Sequence, residues 1–244
     1  MANTPPRPAD AYDAWAPVYD RTFGTLVEGA RRRAIENLDL RPGQRVLDLG
    51  VGTGAAMDAI PGDTRVVGVD LSASMLSKAA RRLDRETARV QRHLVQADAQ
   101  LPPFGDRVFD HVLLTHVISV VDEPATVMRR VARLVKPTGS VLIVNHFRDP
   151  DSPLSGVKRL LNPLCVRIGW RSDLTLAECL DGAALAIDRV ERRSPLSLWQ
   201  AVRLRPIPQT DDAHAADAAD RPDAWAVASP VEHTDRPAAA MPTR

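Results

Sequence analysis

Aromatic residues are scarce, 4% of 244 residues, with four tryptophans, four phenylalanines and only two tyrosines. Any site that needs several ring faces must draw on most of them. Cysteine is scarcer still. Cys165 and Cys179 stand outside the close pairs and Cys/His clusters that zinc requires, so no metal is expected and both are expected as reduced, buried thiols. Net charge is almost absent: 32 basic against 31 acidic residues leave +1, which excludes wholesale electrostatic binding of nucleic acid. A charged partner must therefore meet a local patch. Long hydrophobic runs are missing too, since the longest, residues 112–121, is broken by Thr115, His116 and Ser119 and is too short to span a bilayer. Residues 1–10 lack the apolar core of a secretion signal, and a cytoplasmic chain, soluble or peripheral to a membrane, is expected.

The length suits one α/β domain with a full core. Residues 1–10, rich in proline, are expected as a disordered leader, 11–205 as the domain, and 206–244, rich in Ala, Asp and Pro, as a disordered tail. Over 23–38 the residues Phe23, Leu26, Val27, Ala30, Ala34, Ile35 and Leu38 recur at helical spacing, with Glu28, Arg31, Arg32 and Glu36 on other faces. Strand-like segments at 45–50, 65–70, 90–97, 109–115 and 140–147 then alternate with predicted helices at 53–60, 72–84 and 123–135. Ser72 is the expected N-cap of the second, and Lys136-Pro137-Thr138-Gly139 stops the third. Such alternation implies right-handed crossovers and a parallel sheet covered on both faces. A further helix over 174–181, with Gly182 as its C′ residue, precedes two strands at 185–192 and 197–204, whose Ser194-Pro195 link predicts an antiparallel hairpin at the sheet edge. The expected fold is a Rossmann-like, seven-stranded, mostly parallel sheet.

The strongest chemical signal is Asp48-Leu49-Gly50-Val51-Gly52-Thr53-Gly54-Ala55, directly after a strand and opening a helix. Glycines there let the backbone turn sharply and press against a ligand. Gly50, Gly52 and Ala55 also satisfy a relaxed dinucleotide fingerprint. An acidic residue two positions before the first glycine, with a third glycine at 54, leans instead toward S-adenosylmethionine. Asp70 ends the second strand where a carboxylate can accept both ribose hydroxyls, and Asp98-Ala99 follows the third, where a carboxylate can accept an adenine amino group. The dehydrogenase alternative lacks its catalyst, because Tyr12 and Tyr19 are followed at the Tyr-x-x-x-Lys spacing by Ala16 and Phe23. No Gly-x-Ser-x-Gly elbow and no His-Glu-x-x-His occurs, and Leu114-Thr115-His116-Val117 stands where nucleobase amino methyltransferases carry Asn/Asp-Pro-Pro-Tyr.

Together the glycine turn, Asp70, Asp98 and Phe109-Asp110 resemble the class I methyltransferase family over residues 12–204. The resemblance implies S-adenosylmethionine as methyl donor, S-adenosylhomocysteine as product, and cofactor contacts from Tyr12, Asp48, Gly50, Gly52, Thr53, Gly54, Asp70, Leu71, Met75, Asp98, Ala99 and Thr115. More closely, Tyr12-Asp13-Ala14-Trp15-Ala16-Pro17-Val18-Tyr19-Asp20, Val117 to Val121, Val144-Asn145-His146-Phe147, Pro163-Leu164-Cys165 with Gly169-Trp170, and Glu191-Arg192-Arg193 are similar to the soluble bacterial phosphatidylethanolamine N-methyltransferases. That likeness implies a phospholipid amine as acceptor, with His116 a departure from the tyrosine expected there. Only a neutral amine can attack a sulfonium methyl, and Tyr19, His146 or an ordered water could take the proton. Methylated head groups are cations that ring faces hold by roughly 0.5 to 2 kcal/mol, which makes Tyr12, Trp15 and Tyr19 candidates. Asn145 and His146 could grip the lipid phosphate, and His116, Lys158 and Arg159 complete the acceptor side.

Membrane access is expected from the basic, apolar segment 148–173 and from Arg31, Arg32 and Arg33 on the first helix, each cation contributing on the order of 1 kcal/mol at an anionic surface. The expected location is the inner face of the membrane, and the expected state a monomer. A quinone or small-metabolite methyltransferase of the same fold, or a non-catalytic cofactor-binding protein, are the alternatives.

Overall fold

The computed structural model describes residues 24–83, 91–148, 171–192 and 199–208. Seven strands form one sheet: β1 (Arg45–Leu49), β2 (Arg65–Asp70), β3 (Gln91–Gln96), β4 (Phe109–Thr115), β5 (Val135–Asn145), β6 (Leu185–Arg192) and β7 (Gln200–Pro206). Their order is β3-β2-β1-β4-β5-β7-β6, with β7 antiparallel to both β5 and β6 and the other pairs parallel. The chain builds outward from β1 to β3, then returns to place β4 on the other side of β1. The strand order reverses there, and that reversal opens a crevice beyond the carboxyl ends of β1 and β4.

Alternation along each strand sorts side chains between two cores. Leu47, Leu49, Val112, Leu114, Val141 and Ile143 pack in one cluster with Val127, Met128, Val131 and Leu134 of helix α3 (Pro124–Leu134) and with Cys179 of α4 (Leu176–Leu180). Val46, Leu113, Leu142 and Val144 face the opposite way. They meet Ala34 and Ile35 of α1 (Gly24–Glu36) and Leu76 of α2 (Ala73–Leu83). Asp48 lies two residues beyond Val46, so the same alternation turns its carboxylate toward α1.

Several predicted boundaries hold. Ser72 Oγ accepts from the Met75 N–H, and Gly182 takes φ +65° after α4. That helix also opens on a capping box between Thr175 and Glu178, and Cys179 within it is buried, its thiol pushed up to about 12 by burial.

Three expectations need correction. The helix expected over 53–60 is a single 3-10 turn, Met57–Ala59, because Gly52 and Gly54 at φ +54° and +79° spend the preceding residues on a left-handed turn. Ile60 must then be extended, at ψ 128°, to enter Pro61. The second correction concerns β5, which begins at Val135 rather than Ser140. Val135 pairs with Phe109, and the Lys136-Pro137-Thr138-Gly139 segment is a bulge that shifts the register before His111 meets Ser140. The start of the expected tail is instead part of the fold, since β7 runs to Pro206 and the Ile207 N–H donates to the Ala184 carbonyl at 2.9 Å, while the Ser194-Pro195 link, the leader and residues 209–244 lie outside the described residues.

Candidate active site

At the end of β1 the backbone folds back on β2, the N–H groups of Gly50 and Val51 both donating to the Val69 carbonyl at 2.8 and 2.9 Å. Asp70 holds the turn from beside it. Its Oδ2 accepts from the Gly52 N–H at 2.8 Å and its Oδ1 from the Ser72 N–H at 2.9 Å, so one carboxylate ties the glycine turn to the start of α2. A Cβ added at Gly52 would meet nothing within 4 Å, and the turn therefore presents bare backbone to open space. The Ala97 N–H donates to the Asp70 carbonyl at 3.0 Å, which brings the end of β3 alongside. Asp98 is exposed there, with Oδ1 accepting from the Gln100 N–H at 2.8 Å, Ala99 is half-buried, and Leu71 stands 56% exposed above buried Met75. Thr53 and Thr115 are half-buried on the two sides of the crevice. The glycine turn, Asp70, Leu71, Asp98 and Ala99 thus share one strand-end edge.

Asp48 lies beneath this turn with 0% exposure, and among the described residues neither of its carboxylate oxygens has a hydrogen-bond partner. Burial pushes it from the usual 3.8 up to about 7, with the Arg31 guanidinium opposing and the Asp70 carboxylate assisting. An orphaned buried carboxylate is costly unless something cationic reaches it. Arg31 is half-buried rather than surface-directed, donating from Nη2 to the Ala55 carbonyl at 3.3 Å. Its pKa is lowered by burial, against the pull of Asp48. This corrects its expected place on the membrane face of α1. Arg31 precedes buried Ala34, Ile35 and Leu38 by three, four and seven residues, and that inner-stripe spacing was the signal that could have placed it.

On the other wall the chain leaves β4 through His116, at φ +63°, whose N–H donates to the Val144 carbonyl at 2.8 Å. Its ring meets Trp199 edge to face, centroids 4.8 Å apart at 86°. Neither ring nitrogen has a hydrogen-bond partner among the described residues, and burial pushes the imidazole down to about 3, so it is neutral at physiological pH. His146, just past β5, approaches the same Trp199 at 5.4 Å and 88°. Its Nε2 lies 3.0 Å from the Arg171 carbonyl, and because a carbonyl only accepts, Nε2 carries the proton. Asn145 has 0% exposure. Its Oδ1 accepts from Ser119 Oγ at 3.2 Å and its Nδ2 donates to the His146 carbonyl at 3.1 Å, which places it in the layer below the crevice wall. Tyr12, Trp15, Tyr19, Lys158 and Arg159 lie outside the described residues. Trp199 was missed from sequence because its partners follow β4 and β5, far away along the chain.

A buried anionic group below a bare glycine turn, with a carboxylate and an exposed leucine at the next strand end, matches an adenosylated amino acid better than a pyrophosphate, which an acidic neighbour would repel. The family model for a methyltransferase domain matches residues 47–143. A phosphatidylethanolamine N-methyltransferase of Cereibacter sphaeroides is 33% identical over 195 residues, covering 80% of this chain and 95% of its own length. The chain belongs to the class I S-adenosylmethionine-dependent methyltransferases. This methyltransferase is also 33% identical over 158 residues to a ubiquinone/menaquinone biosynthesis C-methyltransferase of Vibrio parahaemolyticus, covering 61% of each chain. In fold it resembles a chain from the complex between the Haloferax volcanii Trm112 methyltransferase activator and a methyltransferase, at a TM-score of 0.64 and 19% identity, covering 82% of this chain and 97% of that one. Among the described residues no group of three His, Cys, Asp or Glu could hold a metal ion, and no helix is long and apolar enough to cross a membrane.

The double duty of Asp70 gives a direct test. Asp70→Ala removes the carboxylate oxygens that accept from the Gly52 and Ser72 N–H groups, and with them the carboxylate expected from sequence at the ribose. It is expected to weaken S-adenosylhomocysteine binding by at least about tenfold, the worth of one or two hydrogen bonds to a charged group. Titration calorimetry giving wild-type affinity would remove Asp70 from the cofactor site.

Proposed function

We propose that this methyltransferase transfers methyl groups to the amine of phosphatidylethanolamine and of its partly methylated forms, towards phosphatidylcholine, at the inner surface of a membrane. The observation that carries this reading is the extent of the match to the Cereibacter sphaeroides protein. It spans 195 residues, 80% of this chain, against the 47–143 of the domain match, and so reaches well past the glycine turn and the strands around it. The quinone relative matches over a shorter 158 residues.

S-adenosylmethionine, when bound, supplies an electrophilic methyl carbon. Asp48 suits its α-ammonium, the backbone of Gly50, Gly52 and Gly54 its amino-acid portion, Asp70 its ribose, and Leu71, Met75, Asp98 and Ala99 its adenine. The acceptor amine must be neutral to attack. An alkyl amine with a pKa near ~10 costs about 4 kcal/mol to deprotonate at pH 7, a cost that a dry pocket beside a sulfonium reduces. In the His146 tautomer described above, the nitrogen able to accept a proton is Nδ1, and Tyr19 is the second candidate base. Trp199 supplies the crevice with a ring that suits methylated cations. Arg32 and Arg33, exposed on α1, support a basic contribution to a membrane face, as does the sequence of the 148–173 segment with Lys158 and Arg159.

The test uses purified protein, labelled S-adenosylmethionine and phosphatidylethanolamine vesicles. Label is expected in mono-, di- and trimethylated lipid. Label appearing instead in an organic-soluble phenol from a cell extract would favour the quinone reading that the Vibrio relative supports, and no labelled lipid at all would reject the proposal.

A further inference from the structure

Two histidines flank the buried body of β4, His111 near its start and His116 just past its end, and their surroundings differ in a telling way. His111, near its start, has both ring nitrogens engaged, Nδ1 at 2.8 Å from Ser140 Oγ and Nε2 at 3.2 Å from Gln44 Oε1. That is how a structural histidine is normally satisfied in a protein interior. His116, just beyond its end, is half-buried with both ring nitrogens withdrawn from water, yet neither nitrogen has a partner among the described residues. It also sits at φ +63°, a conformation that L-residues avoid and that tends to persist where the surrounding structure holds it for a purpose.

Position tells what the unmet nitrogens could serve. A Cβ on Gly50 would fall 2.5 Å from Val117 Cβ, so the side chain that follows His116 in the chain lies against the first glycine of the turn after β1. Trp199, immediately before β7, stands nearly perpendicular to both the His116 and the His146 ring. The groups whose charges bear on His116 are Arg31 and His146. Burial first, and these two groups in addition, disfavour its protonation, so the ring stays neutral and offers one donor and one acceptor without repelling a cation.

Resting on the lipid-amine reading above, we infer that His116 orients the acceptor amine by accepting a hydrogen bond from its N–H, with Trp199 as the ring wall that fixes the imidazole edge. The neutral amine's lone pair forms the new N–C bond while the C–S bond breaks and its electron pair passes to sulfur. Positive charge moves from sulfur to nitrogen, and the resulting ammonium later loses a proton to water. A primary or secondary amine keeps an N–H for His116 during this step. A neutral tertiary amine has none, and only the Trp199 wall remains to orient it. His116 therefore favours the first two methylations over the third.

The experiment compares wild type with His116→Gly and His116→Phe on vesicles of phosphatidylethanolamine, its monomethyl form and its dimethyl form. Glycine removes the ring without backbone strain at this φ, whereas phenylalanine keeps the ring packing against Trp199 but carries no nitrogen. For both variants, kcat/KM on the un- and monomethylated lipids is expected to fall about tenfold relative to the dimethyl lipid, the worth of one hydrogen bond. S-adenosylhomocysteine affinity and thermal unfolding, read on the same preparations, report the integrity of the fold, and the glycine variant decides if the phenylalanine variant does not fold. Equal loss on all three lipids by active, folded variants overturns the assignment of His116 alone. Wild-type protein inactive on all three overturns the substrate reading and His116 with it.

Discussion

Gly50→Ala is expected to destabilise the protein by about 3 kcal/mol, while Gly52→Ala, two residues away, should cost only about 1 kcal/mol and yet abolish most cofactor affinity. Both glycines lie in the left-handed region, at φ +78° and +54°, so both substitutions carry the backbone cost of an L-residue there, roughly 1 to 2 kcal/mol. What differs is the space around them. A Cβ at Gly50 falls 2.5 Å from Val117 Cβ and closer still to its Cγ2, and the segment after β4 must move to admit it. Overpacking of this kind typically costs a further 1 to 3 kcal/mol. A Cβ at Gly52 meets nothing within 4 Å and stands in the crevice itself. The fold tolerates it, but a ligand pressed against the backbone does not, and a steric cost near 2 kcal/mol corresponds to about thirtyfold in affinity. Denaturant unfolding and calorimetry with S-adenosylhomocysteine separate the two effects. Gly52→Ala binding as tightly as wild type would mean that the ligand does not approach this turn.

That contrast also marks how far local sequence reaches. β2, β4 and β6 were legible to the residue, because each is a run of strand-forming residues bounded by turn or cap signals. The crevice was legible for the same reason: once β1 and β4 are adjacent parallel strands, the residues at their carboxyl ends must converge. The helix after Gly54 was misjudged because periodicity ignores the residues a left-handed turn consumes. The beginning of β5 was misjudged because a proline and a glycine normally end an element, whereas pairing of Val135 with Phe109 carries the strand across them as a bulge. Arg31 shows a different limit. Three consecutive arginines read as one basic patch, although helical geometry turns the first of them inward toward Asp48. Trp199 and the two histidines meet only through the insertion of β7 beside β5, a pairing that no local pattern announces.

The wild-type protein, free of cofactor, is expected to lose stability as pH rises from about 4 to 7, and Asp48→Asn to abolish that loss. In the unfolded chain this carboxyl ionises near its ordinary 3.8, while in the folded protein burial holds it at about 7. Below pH 3.8 both states are protonated and the contribution of Asp48 to stability is fully present. Between the two values the unfolded chain releases its proton and the folded chain keeps it, so folding grows less favourable, by on the order of 4 kcal/mol once pH passes 7. Asparagine carries no charge to bury, although its amide also wants partners, so a gain of about 2 kcal/mol at pH 8 is expected, turning into a loss of about 2 kcal/mol at pH 4 as the wild type regains its stability of about 4 kcal/mol. Ligand binding should respond in the opposite sense. If ionised Asp48 meets the α-ammonium of the cofactor, wild-type affinity for S-adenosylhomocysteine falls by nearly tenfold per pH unit below about 7. Asp48→Asn should then bind about thirtyfold more weakly at pH 8, with a flat profile. Urea unfolding across this pH range, paired with calorimetry, measures both. A variant that is more stable yet binds less would identify Asp48 as a group kept at the expense of the fold for the ligand's charge. A variant no more stable than wild type at pH 8 would place a compensating partner on the carboxylate, and the fit of this site to an amino-acid ammonium would lose its main physical support.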